Sequence, residues 1–232
     1  MKNYDVIIIG AGSVGTPIAM NLAAEKLNVL VIEKHASAGQ GENKKAIGGI
    51  RATHSDESKI QVALRSIEIF STWKETYGDD IEWLSNGYSF PAYTEEHEAM
   101  LKDLLKVQKT FGLNIDWISA EEYQDLVPGI NSSNLRGATY SPKDGSASPL
   151  LSQVAFYRQA KKHGTEFVFQ ENVESISQKE GQFIVQTSKE KYASKKLINA
   201  AGSQAKEIAA MVGIELPVKP DKHEGAITEA VQ

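Results

Sequence analysis

Three glycines near the start of the chain have the spacing that binding of a dinucleotide requires. Gly10, Gly12 and Gly15 form a GxGxxG pattern between a short β-branched strand and a helical pattern. The first glycine permits a tight turn, the second lets the backbone approach a pyrophosphate, and the third allows close packing of helix on strand. The helix N-terminus offers unpaired N–H groups and a partial positive charge to the phosphates. The pattern therefore predicts a dinucleotide site; the alternative is an α/β turn whose glycines serve packing alone.

An acidic residue follows at the distance that ribose recognition requires. Glu33 stands 18 residues beyond Gly15, at the end of a second buried strand over 29–32. A carboxylate there can accept hydrogen bonds from ribose hydroxyls, and it would repel a 2′-phosphate, which argues against NADP. The predicted nucleotide-binding residues of this unit are Gly10, Gly12, Ser13, Val14, Gly15, Glu33 and Lys34.

A glycine-bearing segment without strand or helix periodicity extends from Lys34 to Asp56. It begins at the carboxyl edge of the predicted sheet, where doubly wound folds bind ligands, and long irregular segments of this kind are often functional. It contains Gly48-Gly49-Ile50-Arg51, in which paired glycines suit a backbone pressed against a flat ring. Arg51 is a candidate to contact that ring or a substrate carboxylate, and His54 is a candidate catalytic residue. The alternatives are a surface arginine and a histidine with ordinary polar partners.

Composition excludes several other kinds of chemistry. The 232 residues include 25 basic and 30 acidic side chains, for a net charge of -5, so the chain lacks the basic surplus of a nucleic-acid-binding domain. There is no cysteine, which excludes disulfides, thiolate nucleophiles and cysteine-ligated metals within this sequence. The longest apolar run is far shorter than the roughly 20 residues of a membrane span, and no signal peptide is visible. We expect a cytoplasmic protein without a metal site.

The elements that must position these residues form a nucleotide-binding layer that is interrupted and then resumed. A strand over 4–9, a helix after Gly15 and a strand over 29–32 make one βαβ unit. The later part of the chain returns to the same layer through a helix over 149–163, strands over 166–169, 173–176, 182–187 and 191–199, a helix ending at Gly213 and a strand from Ala226.

The elements between these two parts are mixed and predict a second, substrate-facing domain. A helix over 57–77 has Ser55 as a candidate N-cap, and an amphipathic helix covers 95–110. The apolar face of the second helix is predicted from Met100, Leu104 and Val107. The other predicted features are strands over 87–93 and 115–118, a capping box at Ser119–Glu122 and a turn-rich loop over 140–149.

Taken in order, these motifs resemble the FAD-dependent amine oxidoreductases of the D-amino-acid oxidase superfamily, and in particular the sarcosine oxidase, glycine oxidase and proline dehydrogenase group. The resemblance covers nearly the whole chain. It implies an α/β fold, with a Rossmann-like FAD-binding domain of the glutathione-reductase-2 type and an interleaved α+β substrate domain that is incomplete at the C-terminus. The residues that carry it are the βαβ unit with Glu33, Gly48–Arg51, Asp144-Gly145 with Pro149, Asn199–Gly202 and the stretch 214–228.

The resemblance implies FAD as the cofactor and a small amine or amino acid as the substrate. The chemistry would be hydride transfer from the carbon that bears the amine to flavin N5, which gives an imine that hydrolyses. A cysteinyl flavin link is excluded within this sequence, whereas a histidyl link at His54 stays open. The implied cofactor contacts beyond the βαβ unit are Gly48, Gly49, Ile50, Val173, Ala200, Ala201 and Gly202, and the implied catalytic residues are Arg51 and His54.

The same resemblance predicts how the domains divide and leaves other functions open. Residues 1–80 and 143–216 would form the FAD-binding domain, and 81–142 and 217–232 the substrate domain, within a longer enzyme that forms a homo- or hetero-oligomer. The alternatives are an FAD-dependent 2-hydroxyacid or glycerol-phosphate dehydrogenase, and a non-catalytic FAD-binding subunit. An NAD-dependent dehydrogenase fits less well, because the long glycine-bearing segment and the strand meander are typical of flavoproteins.

Overall fold

The structure is a computed structural model of the chain, and it describes residues 1–221. Within this range there are eleven strands and seven α-helices, together with two short 3-10 helices at Glu42–Lys45 and Gly202–Gln204. In chain order they are β1 (Lys2–Ile9), α1 (Gly15–Ala24), β2 (Val29–Glu33), β3 (Gly49–Ile50), α2 (Glu57–Ser71), α3 (Trp73–Tyr77), β4 (Tyr88–Ala92), α4 (Glu95–Thr110), β5 (Asp116–Ile118), α5 (Ala120–Leu126), β6 (Gly137–Ser141), β7 (Gly145–Ser146), α6 (Pro149–Lys162), β8 (Glu166–Phe169), β9 (Val173–Lys179), β10 (Gln182–Thr187), β11 (Lys191–Asn199) and α7 (Ala205–Ala210).

The chain divides into two compact units. The first unit combines Met1–Ile47 with the described residues of 149–221, and the second unit is Gly48–Ser148. The predicted assignment of 1–80, 81–142, 143–216 and 217–232 to cofactor and substrate domains stays a prediction, because compactness alone assigns no function. The strand predicted from Ala226 lies outside the described residues.

The first unit is built on a six-stranded sheet with the order β8-β2-β1-β11-β10-β9. Strands β8, β2, β1 and β11 run parallel, and β10 and β9 continue the sheet in antiparallel fashion. Ile7, Ile8, Leu30 and Val31 are fully buried, because both faces of a parallel sheet are covered and its strands are accordingly apolar along their length. This arrangement confirms the predicted α/β class and the return of β11 to the first βαβ unit.

A tight turn joins β9 to β10, as the meander pattern predicts. Glu180 and Gly181 have φ values of 52° and 76°. Positive φ at both central residues is the conformation of the two-residue hairpin turns whose twist matches that of the flanking strands.

The second unit contains a three-stranded antiparallel sheet with the order β4-β6-β5 and a small ladder of β3 with β7. The capping box at Ser119 is present, with the Ser119 hydroxyl accepting from the Glu122 N–H and the Glu122 carboxylate accepting from the Ser119 N–H. The loop predicted over 140–149 is partly wrong, because β6 and β7 extend into it. Their pairing partners β4 and β3 lie far away in sequence, so local turn composition alone could not reveal them.

Two details of the predicted helix over 57–77 are also wrong. The helix is divided at Thr72 into α2 and α3, and its N-cap is Asp56 rather than Ser55. The Asp56 carboxylate accepts from the Lys59 N–H, which is the usual geometry of an acidic N-cap. Ser55 and Asp56 are both good N-cap residues, so their composition does not decide between them.

The apolar face predicted for α4 is shifted by one residue. Leu101, Leu105 and Gln108 are buried, whereas Met100 is 57% exposed and Val107 is 40% exposed. Apolar residues at two adjacent positions in each turn give a broad stripe, and helical periodicity alone cannot say which half of it meets the core. Leu105 packs in a cluster with Ile60, Ile67 and Leu113, and this packing selects the face.

The two halves of that stripe should respond differently to truncation. Leu105→Ala should lower the free energy of unfolding by about 2–5 kcal/mol, because it removes buried methyl groups and leaves a cavity. Met100→Ala, on the same helix, should change it by less than about 0.5 kcal/mol. Urea unfolding followed by circular dichroism makes the comparison, and equal losses in the two variants would contradict the observed face.

Candidate functional site

A cavity of about 400 Å³ opens in the first unit where β1, β2 and β11 end. Its volume lies within the range of about 300–1,000 Å³ that is common for small-molecule sites. Its walls come from residues of the segments 9–14, 32–35, 39–43, 171–173 and 199–205, and from Ile208. The carboxyl edge of a doubly wound sheet is the usual position for a ligand in this class of fold.

The three glycines of the turn have different surroundings. A Cβ on Gly10 would lie 2.4 Å from the Ala200 carbonyl oxygen, and a Cβ on Gly15 would lie 2.0 Å from the Gly10 carbonyl oxygen. A Cβ on Gly12 would meet no protein atom within 4 Å, and Gly12 lines the cavity. The first and third glycines are thus required by the packing of the protein itself, while at the second glycine the backbone borders open space on the side of the cavity.

Glu33 is buried and held in a fixed orientation at the end of β2. Its Oε2 accepts from the Ala11 N–H at 2.8 Å, and its Oε1 accepts from the His35 N–H at 2.9 Å. Each carboxylate oxygen can accept more than one hydrogen bond, so capacity remains for hydroxyl groups in the cavity. A buried, pre-oriented carboxylate beside an open glycine turn fits the ribose and pyrophosphate of a dinucleotide.

The N-terminus of α1 adds donors to the same wall. Its N-cap, Val14, makes no side-chain hydrogen bond, and no acidic side chain stands in the first turn. No side chain of the helix's own first turn therefore offsets the partial positive charge of the helix end, which favours an anion. Pro17 is the third residue of the helix, where the missing N–H costs nothing because it would have no intrahelical partner.

Most of the predicted cofactor residues of the first unit lie together on this cavity, and several lining residues were not predicted. Gly15 packs behind the turn and does not line it. The predicted residues on the wall are Gly10, Gly12, Ser13, Val14, Glu33, Lys34, Val173, Ala200, Ala201 and Gly202. The residues that sequence reasoning missed include His35, Gly39, Gly41, Asn43, Glu171, Asn172, Asn199 and Gln204.

Some of these missed residues carried a usable signal. Asn199 begins the same short run as Ala200, and Gly39 and Gly41 belong to the glycine-bearing segment after Glu33. Gln204 carried no such signal, because the residues that follow the run from Asn199 to Gly202 form no recognisable motif. It reaches the site through its side chain, whose Oε1 accepts from the Lys34 ammonium at 2.5 Å.

The predicted residues Gly48, Gly49, Ile50, Arg51 and His54 belong to the second unit. There β3 pairs with β7, so that Gly49 faces Ser146 and Ile50 faces Gly145. The contact of Gly48, Gly49 and Ile50 with a flavin ring, and the catalytic roles of Arg51 and His54, stay predictions.

Arg51 is immobilised by aromatic rings and by its own loop. Its guanidinium carbon lies 5.5 Å from the centre of the Tyr88 ring and 5.4 Å from that of Phe90. Its Nη1 also donates to the Thr53 carbonyl oxygen and, at 3.3 Å, to the Thr53 hydroxyl. Cation–π contact and hydrogen bonds together hold the cation in one orientation. Among the residues that the structure describes, its other N–H groups have no hydrogen-bond partner, so they can bind an anion.

Asp144, from the Asp-Gly pair of the sequence pattern, supports the same loop. Its side chain is almost completely buried, and its Oδ1 accepts from the Ala52 N–H at 3.1 Å. Burial raises the pKa of the Asp144 carboxyl, while the Ala52 N–H, the Ser141 side chain and the Arg51 guanidinium act in the opposite direction. This hydrogen bond thus connects Ala52, the residue after Arg51, to the loop between β6 and β7.

The surroundings of His54 favour the neutral form of its imidazole. Burial, and then the positive charges of Arg51 and Lys59, lower the pKa of its imidazole below the ordinary value of 6.5. Its backbone is fixed by a hydrogen bond from the Gln108 side chain to the His54 carbonyl oxygen at 3.1 Å. Near pH 7 one ring nitrogen of the imidazole therefore carries no proton and can accept a hydrogen bond.

The described residues offer no alternative site for a metal and no membrane-spanning element. Between Met1 and Asp221, no three histidine, aspartate or glutamate side chains are grouped so that they could hold a metal ion. None of the helices in the same range has the length and apolar character of a bilayer span.

The open space at Gly12 leads to a prediction that separates folding from binding. Gly12→Ala should leave the free energy of unfolding of the FAD-free protein within about 0.5 kcal/mol of the parent, because its methyl group meets no protein atom. The same methyl group should weaken FAD binding by about tenfold or more, since it occupies the approach of the pyrophosphate. Gly15→Ala serves as the contrast and should destabilise the fold itself. Fluorescence titration with FAD and thermal unfolding make the comparison, and unchanged FAD affinity in Gly12→Ala would contradict the assignment of this wall.

Comparison with known proteins agrees with this geometry. The model of the DAO family, described as FAD dependent oxidoreductase, matches residues 5–232. Glycine oxidase from Geobacillus kaustophilus is 28% identical over 235 residues, which is 98% of this chain and 62% of that protein. Mitochondrial dimethylglycine dehydrogenase from Rattus norvegicus is 25% identical over 235 residues, which is 98% of this chain and 27% of that protein.

A solved structure extends the likeness to three dimensions. The crystal structure of L-proline dehydrogenase from P. horikoshii matches with a TM-score of 0.88 at 30% identity, over 94% of this chain and 58% of that one. The chain thus spans less than two thirds of the length of each of these relatives. The family model matches almost the whole chain, and the glycine turn and the buried Glu33 agree with that match. The chain therefore belongs to the DAO family of FAD-dependent oxidoreductases, and its cofactor is FAD.

Proposed function

We propose that the protein containing this sequence oxidises the C–N bond of an amino acid or an N-methyl amino acid. FAD, when bound, supplies the acceptor at flavin N5 for the hydride that leaves the amine-bearing carbon. The observation that carries the substrate class is the set of names among the relatives: glycine oxidase, dimethylglycine dehydrogenase and L-proline dehydrogenase. All three names denote amino acids, in which a carboxylate stands next to the carbon that bears the amine.

The first unit supplies the residues that would hold the ADP half of FAD. Gly12 leaves room for the pyrophosphate at the N-terminus of α1, and Glu33 offers its remaining acceptor capacity to the ribose hydroxyls. Val173 and the run from Ala200 to Gly202 line the same cavity and complete its walls. These contacts bind and orient the cofactor rather than take part in bond making.

The second unit supplies two groups with properties that suit an amino-acid substrate. The guanidinium of Arg51 is held over Tyr88 and Phe90, and it can pair with a carboxylate through its remaining N–H groups. The neutral imidazole of His54 has an unprotonated ring nitrogen that can accept a hydrogen bond from a substrate ammonium group. An immobilised cation and a neutral base are compatible with oxidation of an amino acid near neutral pH.

An anaerobic titration of the full-length protein tests this proposal. The FAD-loaded protein is titrated with glycine, N-methyl amino acids and proline, and in parallel with 2-hydroxyacids and glycerol phosphate, while the visible absorbance of the flavin is followed. We expect bleaching by one or more of the amino acids and none by the hydroxyl compounds. Bleaching by the hydroxyl compounds alone would instead support the hydroxyacid or glycerol-phosphate dehydrogenase, and no bleaching by any compound would support a non-catalytic FAD-binding subunit.

The role proposed for Arg51 has its own test. Arg51→Gln should raise the amino-acid concentration that half-saturates flavin reduction by about 10- to 100-fold, because a charge-assisted pair with the carboxylate is lost. The limiting rate of reduction should change less. Arg65→Gln is the matched control, since Arg65 is exposed and pairs with Glu68 on the surface of α2, and it should stay within about twofold of the parent. Stopped-flow reduction measures both variants, and an unchanged half-saturating concentration in Arg51→Gln would rule out the proposed contact.

A further inference from the structure

One buried glutamine of the first unit contacts the back of the glycine turn without lining the cavity. Gln153 lies on α6 and is 4% exposed. Its Nε2 donates to the Ala11 carbonyl oxygen at 3.1 Å and to the Thr16 hydroxyl at 2.7 Å. A carbonyl oxygen can only accept, so the nitrogen of the amide must face the turn, and both of its N–H groups are used.

The residue that Gln153 holds also orients Glu33. The Ala11 carbonyl accepts a second hydrogen bond, from the Gly39 N–H at 2.9 Å. The backbone N–H of Ala11 itself donates to Glu33 Oε2 at 2.8 Å. Ala11 is fully buried, so these bonds form in a setting where an unpaired polar group is costly. A chain of hydrogen bonds therefore runs from α6 through the turn to the carboxylate in the cavity.

The same glutamine and its helix also support the neighbouring wall of the cavity. A Cβ on Gly39 would lie 2.6 Å from Gln153 Cγ, so the loop that contains Gly39 packs directly against the aliphatic part of the Gln153 side chain. A few residues later, the Asn43 side-chain amide donates to the carbonyl oxygen of Pro149, the first residue of α6. Gly39 and Asn43 both line the cavity.

We propose that Gln153 is a positioning residue of the FAD site. It fixes the Ala11 segment and the Gly39 loop before FAD arrives, and through Ala11 it keeps Glu33 in the orientation that meets the ribose. Binding to a site that is already ordered loses less conformational entropy and gains affinity, although Gln153 itself touches no ligand.

The test is the affinity of the full-length, FAD-free protein for FAD, measured by fluorescence titration. Gln153→Met keeps the length of the side chain and removes both donors, and we expect the Kd for FAD to rise about tenfold. Gln159→Met is the matched control: it removes a buried amide from the same helix, about 9 Å further along the axis. Its Kd for FAD should stay within about twofold of the parent.

A double-mutant cycle distinguishes positioning from general loss of stability. If Gln153 acts through Glu33, the fold increases in Kd caused by Gln153→Met and by Glu33→Gln should not multiply. The Kd of the double variant should be at least about threefold lower than the Kd expected from multiplying the two single fold increases. Gln159→Met combined with Glu33→Gln should show no such coupling. Should Gln153→Met fail to fold, Thr16→Val replaces it in the cycle, because it removes only the hydroxyl that anchors Gln153. The proposal would be overturned by an unchanged Kd in Gln153→Met. It would also be overturned if the Kd of the double variant lay within about twofold of the value expected from multiplying the two single fold increases.

Discussion

The parallel pairing of β1 with β2 determines where the functional groups of the first unit can meet. In this register Ile9 stands beside Ile32, and the Gly10 N–H donates to the Ile32 carbonyl oxygen at 2.9 Å. The glycine turn and the Glu33 carboxylate must therefore emerge side by side at one edge of the sheet. A slip of one residue in this register would turn the apolar side chains of the strand to the opposite face and separate the two groups.

The pairing of β1 with β11 brings in the third side of the site. Ile9 stands beside Asn199, and the Ala200 N–H donates to the Ile9 carbonyl oxygen at 2.9 Å. As a result, the carbonyl of Ala200 approaches Gly10 too closely for any side chain there. The requirement for glycine at the start of the turn thus comes in part from a segment that is distant in sequence, as well as from the conformation of the turn.

The sequence predicted well those features that depend on near neighbours. The position of Gly12 and Glu33 at one edge of the sheet could be predicted because strand, turn, helix and strand follow one another within one βαβ unit, and each of these elements has its own residue preferences. The buried face of α4 could not be identified, because it depends on which cluster the helix meets. Strands β6 and β7 were missed because their partners are remote. The contact of Gln153 with the glycine turn was missed because a buried glutamine has no recognisable pattern until the backbone around it is known.

The division of the first unit into two stretches of sequence has a consequence for how the chain acquires its structure. The second unit is continuous, so all of its contacts can form once Ser148 has been synthesised. Strand β1, in contrast, lies in the middle of its sheet and waits for β11, which begins at Lys191. Contacts so distant in sequence form slowly, because closing a long loop costs entropy before any pairing compensates for it. While the ribosome synthesises most of this sequence, one edge of the apolar strand β1 therefore has no partner strand. Chaperone binding would protect this edge during that time.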